Sequence, residues 1–152
     1  MNNITINSNS NDIKEMEKLF PRAPLKIIAM EGCKELGQKV NDYIVNFRQS
    51  SYREELKSPM YATYLQDNYL VDAHCPRFGS GEAKGVLNES VRGKDLFIMT
   101  DVCNYSLTYS GNVYVNHMSP DDHYQDLKRI IAAANGKEHR LNIIMPFLYE
   151  SR

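Results

Sequence analysis

The sequence predicts an α/β fold in which a Rossmann-like parallel sheet carries flanking helices. Short apolar runs at residues 26–30, 96–100 and 141–145 are typical of buried parallel strands. Helical patterns at residues 36–47 and 119–134 lie between these runs. Strands that alternate with helices favour a parallel sheet, because each crossover needs a helix to return the chain to the same edge.

The first helix is predicted from five apolar residues at helical spacing, and we expect them to form one core-facing stripe. They are Leu36, Val40, Tyr43, Ile44 and Phe47. The turn between the first strand and this helix lacks a glycine-rich fingerprint, so the pattern does not indicate a dinucleotide site there.

The second helix has clear start and stop signals. Ser119 is a predicted N-cap, Pro120 occupies the first helical position, and Asn135-Gly136 ends the helix. His123, in the first turn, is predicted to lie on the surface. The predicted buried stripe is Tyr124, Leu127, Ile130, Ile131 and Ala134.

The remaining segments are tails and insertions. Residues 1–12 are polar and are predicted to be a disordered tail, whereas 13–152 form one domain that opens with a helical turn at 13–20. Residues 49–67 read as an inserted loop, or as a contact surface formed by its tyrosines. Residues 104–118 alternate around Ser110-Gly111-Asn112 and predict an inserted β-hairpin.

Composition excludes several classes of function. The 152 residues carry a net charge of −1, so we expect no nucleic-acid partner. No run approaches the roughly 18 apolar residues of a membrane span, so we expect no membrane partner. Three widely spaced cysteines indicate free thiols and a cytoplasmic protein. A zinc site that uses Cys75 and His74 stays open as an alternative, although no CxxC spacing supports it. No metal ligand or catalytic residue is predicted.

The most informative stretch is residues 78–95. Gly79 and Gly81 permit a tight reversal after Phe78. Ser90 and Arg92 then place a hydroxyl and a guanidinium in one short loop, where Gly93 allows a close backbone approach. Such groups suit a phosphate. A hairpin followed by a solvated loop is the alternative, in which Arg92 pairs with Glu89 or Asp95.

Residues 78–99, FGSGEAKGVLNESVRGKDLFIM, resemble ribose-phosphate pyrophosphokinases (PRPP synthetases). That family has Phe-Ser-Asp-Gly-Glu, an extended segment, Glu-Ser-Val-Arg-Gly-x-Asp and then a buried strand. Residues 145–152, MPFLYESR, are similar to its Pro-Tyr-Phe-Gly-Tyr-Ala-Arg, chiefly at Pro146 and Arg152. The resemblance covers about residues 26–152, and implies a phosphoribosyltransferase-type sheet in an incomplete N-terminal domain.

The resemblance also implies site residues. Phe78 and Glu82 match a loop that meets the adenine of ATP bound mainly by a neighbouring subunit, and Arg152 matches an arginine on the ATP phosphates. Ser90 and Arg92 match a regulatory loop that binds phosphate or ADP. The family's Ser-Asp after the aromatic residue is replaced here by Gly79-Ser80.

The implied activity is transfer of diphosphate from ATP to ribose 5-phosphate, with Mg²⁺ and in a homo-oligomer. The acidic, Thr/Gly-rich PRPP loop has no counterpart in the sequence, so we expect this chain to be inactive alone. The alternatives are a non-catalytic PRPP synthetase-associated subunit, which regulates or assembles with an active one, and a nucleotide or phosphate sensor that acts alone.

Overall fold

The computed structural model describes residues 22–50, 63–110 and 114–151. The strands are β1 (Leu25–Ala29), β2 (Ala73–His74), β3 (Val86–Leu87), β4 (Asp95–Met99), β5 (Thr108–Ser110), β6 (Val115–His117) and β7 (Arg140–Ile144). The helices are α1 (Lys34–Ser50), which follows a 3₁₀ turn at Glu31–Cys33, and α2 (Pro120–Ala134). This order confirms the predicted α/β class.

The central layer is a parallel sheet of three strands in the order β1–β4–β7. Leu25, Asp95 and Arg140 lie in register at the start of the three strands. Leu96 and Ile98 of the middle strand are fully buried, as expected for a strand that is covered on both faces. Leu70 forms a parallel bridge to Ile27 on the other side of β1.

The predicted orientation of α1 is wrong. Val40 and Ile44 pack against the core, but Leu36, Tyr43 and Phe47 are 47%, 70% and 55% exposed. The helix is therefore rotated relative to the predicted stripe, and its buried residues are Gly37 and Asn41.

Two small contacts set that rotation. Gly37 lies directly against Ala29 of β1, where any side chain would overlap the alanine methyl group. Asn41 accepts a hydrogen bond from the backbone N–H of the fully buried Tyr69 at 2.8 Å. A buried backbone donor needs such a partner, so a polar residue occupies a position that the periodicity assigns to an apolar one.

Residues 73–87 fold into an antiparallel ribbon. β2 pairs with β3, and a further bridge joins Arg77 to Ala83. The turn at its tip is closed by the Phe78 N–H, which donates to the Glu82 carbonyl at 2.7 Å. Gly81 has a φ of +91°, which confirms the predicted glycine turn.

The predicted inserted hairpin is confirmed, since β5 pairs antiparallel with β6.

The predicted surface position of His123 is wrong, because His123 is only 5% exposed. The His123 ring Nε2 lies 2.7 Å from the Asn104 carbonyl oxygen, in the connection that precedes the hairpin. The insertion therefore covers the first turn of α2.

Helix α2 follows its sequence signals closely. Ser119 forms a capping box with Asp122, and Asn135 ends the helix in the left-handed region with a φ of +57°. Leu127, Ile130 and Ala134 are buried as predicted, whereas Tyr124 and Ile131 are partly buried. These contacts seat α2 on the sheet and on β3.

Strand β7 differs from its predicted burial. Ile143 and Ile144 are 44% and 43% exposed, because β7 pairs only with β4 among the described strands. None of the described helices is long and apolar enough to cross a membrane. The predicted tail at 1–12, the helical turn at 13–20 and most of the insertion at 49–67 lie outside the described residues.

We predict that Gly37→Ala lowers the free energy of unfolding by about 1–2 kcal/mol, because its methyl group would collide with Ala29. Helix propensity alone predicts the opposite sign, a gain of about 1 kcal/mol. Urea denaturation measures the change, and Asn46→Ala, at an exposed position of the same helix, is the matched control. Stabilisation by Gly37→Ala would show that α1 does not approach β1 this closely.

Candidate functional site

The loop before β4 is held by its middle residue. Val91 is 4% exposed and belongs to the main core cluster, while Ser90 and Arg92 on either side are exposed. The Arg92 backbone N–H donates to the Ser90 hydroxyl at 3.3 Å. A buried anchor between two outward-facing polar residues brings the predicted hydroxyl and guanidinium together on one surface.

The carboxylates near Arg92 are already paired with other cations. Glu89 lies 3.1 Å from the Lys26 ammonium group. Asp95 accepts a bidentate pair of hydrogen bonds from Arg140, at 2.9 and 2.5 Å. Within the described residues Arg92 has no carboxylate partner, so the alternative in which it pairs with Glu89 or Asp95 is wrong.

A cavity of about 390 Å³ lies beside the loop, and Ser90, Arg92 and Lys137 line it. Lys137 follows α2 and comes close because the Gly93 N–H donates to the Lys137 carbonyl at 2.8 Å. Gly93 has a φ of +66°, which a glycine adopts without strain. The cavity therefore offers two cations and a hydroxyl from two loops that are hydrogen-bonded to each other. The Glu89 carboxylate also lines it and is paired with Lys26.

The carboxyl-terminal end of α2 also lines the cavity, and its partial charge disfavours an anion. Ala133 and Ala134, its last two residues, also line the cavity, and the carbonyl end of a helix carries partial negative charge. Attraction of an anion to this cavity consequently depends on Arg92 and Lys137 and not on a helix dipole. Charge-assisted hydrogen bonds from a guanidinium are strong enough to dominate such a weak opposing field.

The turn that carries Phe78 and Glu82 lies at the far end of the ribbon. Extended chain from Ala83 to Asn88 spans roughly 16 Å. Phe78 is 49% exposed, and the Glu82 carboxylate accepts a hydrogen bond from Ser80 at 3.2 Å. Within one chain the structure therefore separates the two predicted ATP residues from Ser90 and Arg92.

A buried charge cluster attaches the base of this turn to α2. Asp126 lies 2.8 Å from Arg77 and 2.6 Å from Arg129, and its side chain is 8% exposed. Burial raises the pKa of Asp126, against the opposing effect of both arginines. The Arg77 guanidinium also lies 4.6 Å from the ring centre of Tyr109 in β5. The residue before Phe78 is thus held between the helix and the inserted hairpin.

The three cysteines differ in reactivity. Cys33 is buried and Cys103 is exposed. Burial raises the pKa of Cys75 to about 11, and its thiol lies 3.7 Å from the Asp126 carbonyl oxygen. Among the described residues no three histidine, cysteine or acidic side chains form a metal-binding group, so the structure does not support zinc at Cys75 and His74.

The loop after β7 carries the second resemblance. The Tyr149 hydroxyl donates to Asp121 at 2.5 Å, and this bond raises the pKa of Tyr149 to about 12. The Tyr149 ring also meets Tyr124 edge-on, with 5.5 Å between the ring centres. Both contacts tie the loop to the start of α2. Arg152, the third predicted ATP residue, lies outside the described residues.

Comparison with known families decides the relationship. The family model for the N-terminal domain of ribose phosphate pyrophosphokinase matches residues 25–152. The chain belongs to this family. The match begins at β1 and takes in the ribbon, both helices and the loop after β7, so it includes every predicted site residue. No individual curated protein matches the chain.

Lys137 is the cavity residue that the sequence analysis missed. It lies 45 positions from Arg92, and its own neighbours show only a helix end. The usable signal is topological: loops that precede adjacent parallel strands meet at the same edge of the sheet, and β4 and β7 start in register. In this ribose phosphate pyrophosphokinase domain, the helix ends at Asn135-Gly136, and the next residue, Lys137, begins the loop that precedes β7. This loop is therefore expected to lie beside the loop at Ser90.

We predict a pH-dependent role for the Arg140–Asp95 pair. The hydrogen bond from Arg140 is the main cause that holds the pKa of Asp95 below its usual 3.8. A lowered native pKa stabilises the fold above the unfolded value, and the stabilisation is lost as the pH falls through the native value. Arg140→Gln should therefore lower stability at neutral pH, with the difference from wild type shrinking as the pH falls below 3.8 and through the lower native pKa of Asp95.

Urea midpoints measured across this range test the prediction. Lys84→Gln is the control, since Lys84 is exposed and has no carboxylate partner in the described part of the chain. A deficit in Arg140→Gln that persists unchanged into acid would show that the pair does not act through ionised Asp95.

Proposed function

We propose that this chain supplies the nucleotide-contacting and effector-binding part of a ribose-phosphate pyrophosphokinase. In that reaction the anomeric hydroxyl oxygen of ribose 5-phosphate attacks the β-phosphorus of ATP. A new oxygen–phosphorus bond forms, the link between the α- and β-phosphates breaks, AMP leaves, and the hydroxyl proton is released. Catalysis of such a transfer consists of positioning and charge stabilisation.

The observation that supports this proposal is the guanidinium of Arg92, which has no acidic partner among residues 22–50, 63–110 and 114–151. It stands beside Ser90 and Lys137 in a cavity of about 390 Å³, while the nearby carboxylates are paired elsewhere. Leaving an arginine without a carboxylate and next to a hydroxyl is typical of phosphate sites. We infer that the cavity receives the regulatory anion, phosphate or the phosphates of ADP.

The ATP contact is assigned to Phe78 and Glu82. A half-exposed aromatic ring and a carboxylate on a projecting turn suit the face and the amino group of a purine. Because the turn projects from the ribbon with Phe78 49% exposed, the nucleotide is proposed to sit on a neighbouring copy. Arg152 would add a contact to its phosphates. A homo-oligomer follows from this arrangement.

Magnesium enters the proposal with the nucleotide. The described residues contain no cluster of three or more candidate ligands, so the ion would be held chiefly by the ATP phosphates. Bound there, it would supply charge neutralisation. The task of this chain is then to position adenine and to sense an anion. Free thiols and an ordinary charge balance make the cytoplasm the proposed compartment.

A second candidate is a non-catalytic subunit that assembles with an active synthetase. The observation that favours it is exposed aromatic surface: Tyr105 and Tyr114 flank the inserted hairpin at 59% and 40% exposure, and Tyr43 stacks on Phe47 along α1. Aromatic residues are enriched in the cores of protein interfaces. Co-purification with a full-length synthetase separates this candidate from the first.

We predict that Arg92→Ala weakens binding of phosphate and of ADP at least about tenfold, because a charge-assisted hydrogen bond is lost. Isothermal titration of the whole chain measures the change. Lys84→Ala, which removes a cation that does not line the cavity, should bind both anions as the wild type does. Equal affinity in Arg92→Ala and wild type would rule out this effector site.

We predict that Phe78→Ala weakens ATP binding by about fivefold to tenfold and leaves phosphate binding intact, because the adenine loses a stacking partner. Tyr105→Ala removes another exposed aromatic residue and serves as the control. Equilibrium titration with ATP and with phosphate separates the two effects. A loss of affinity that is the same for both variants would contradict a specific adenine contact.

A further inference from the structure

A second basic cavity lies at the amino-terminal edge of the sheet. Its volume is about 680 Å³, and the residues that open the three strands, Leu25, Asp95 and Arg140, all line it. Arg22 and Arg48 line it as well. Its lining shares no residue with the cavity beside Arg92, so the two are separate candidate sites.

The cavity carries an excess of positive charge. It has three arginines against one carboxylate, in a chain whose overall net charge is −1. That carboxylate, Asp95, is already occupied by the bidentate Arg140 and by the Asn142 amide at 3.2 Å. Within the described residues Arg22 and Arg48 have no acidic partner. Two guanidinium groups therefore remain for an anion.

The side chain of Arg48 is fixed in position by neighbouring groups. Its guanidinium carbon lies 4.2 Å from the ring centre of Tyr64 and 4.8 Å from that of Tyr69. One of its terminal nitrogens donates to the Tyr64 carbonyl at 3.0 Å. Contacts with two rings and one carbonyl restrict the side chain, so less conformational entropy is lost when a ligand binds.

The size and lining of the cavity indicate more than a single phosphate. Its volume lies within the range of small-molecule sites. Arg22 precedes β1 and Arg48 lies in the last turn of α1, while Arg140 opens β7 and His139 precedes it. Leu25 and Phe97 add partly buried apolar surface. Several cations around one apolar-floored space suit a chain of linked phosphates.

We propose that this cavity binds a polyphosphate chain, carried by inorganic tripolyphosphate or by a nucleoside triphosphate. Arg22 and Arg48 supply the principal charge-assisted hydrogen bonds, and a ring N–H of His139 adds a further donor. The site is distinct from the one assigned to Ser90 and Arg92, and it stands whether or not that assignment holds. Its position at the amino-terminal edge places it opposite the carboxyl ends, where ligands of parallel sheets usually bind.

Titration calorimetry of the whole chain with tripolyphosphate tests the proposal. In an Arg92→Ala background, where the other cavity does not contribute, we expect saturable binding with one site, weakened at least about tenfold by adding Arg22→Gln. Arg22 is exposed, so its replacement does not disturb the core. Arg48→Lys keeps the charge but loses the planar fork, and we expect it to weaken binding as well. Lys84→Gln, which removes a cation that lines neither cavity, should leave the affinity unchanged.

The second arm of the test uses ATP. Measured in Phe78→Ala, so that the adenine contact proposed above does not contribute, tighter binding of ATP than of tripolyphosphate that is lost on adding Arg22→Gln identifies a nucleoside triphosphate as the source of the phosphates. Equal affinities identify the inorganic chain. Binding that is abolished by Arg92→Ala would place the anion in the other cavity and overturn the proposal. An unsaturable response, reduced equally in all variants by added salt, would also overturn it.

Discussion

The parallel pairing of β4 with a strand on each side is the constraint on which the rest of the structure depends. Its backbone bonds to β1 and β7 bring the preceding loops to one edge of the sheet and the following loops to the other. The loop at Ser90 and Arg92 is positioned by this pairing, since Asp95 is the first residue of β4. Fully buried Leu96 and Ile98 give the strand its stability, because apolar burial is the main favourable term in folding.

Charge pairing then decides which cations stay available. At the amino-terminal edge two acidic residues form ion pairs: Glu89 pairs with Lys26, and Asp95 pairs with Arg140. Each pair has one exposed and one largely buried partner, and pairs near the surface add only modest stability. Their larger effect is selective, because they neutralise some basic residues and leave Arg92 exposed without an acidic partner in the described chain. The same edge thus separates structural arginines from arginines that can bind an anion.

Much of the fold could be predicted from sequence, and the failures have a common physical cause. Strands, helix ends and the inserted hairpin follow local chemistry, such as the capping box at Ser119. The predicted buried face of α1 was wrong because periodicity counts large apolar residues. The face that contacts the core instead uses Gly37 for close approach and Asn41 for a backbone hydrogen bond. Burial of His123 depends on Asn104, a neighbour that only the tertiary fold supplies.

The candidate site divides in the same way: the phosphate loop could be found in one short stretch, but its partner Lys137 comes from a distant segment.

The different environments of the three cysteines have a practical consequence. Cys33 is buried and the thiol of Cys75 is held in its unreactive form, whereas Cys103 is exposed just beyond β4. A maleimide dye will consequently attach at a single place, giving a fluorescent reporter on the native chain without engineered substitutions.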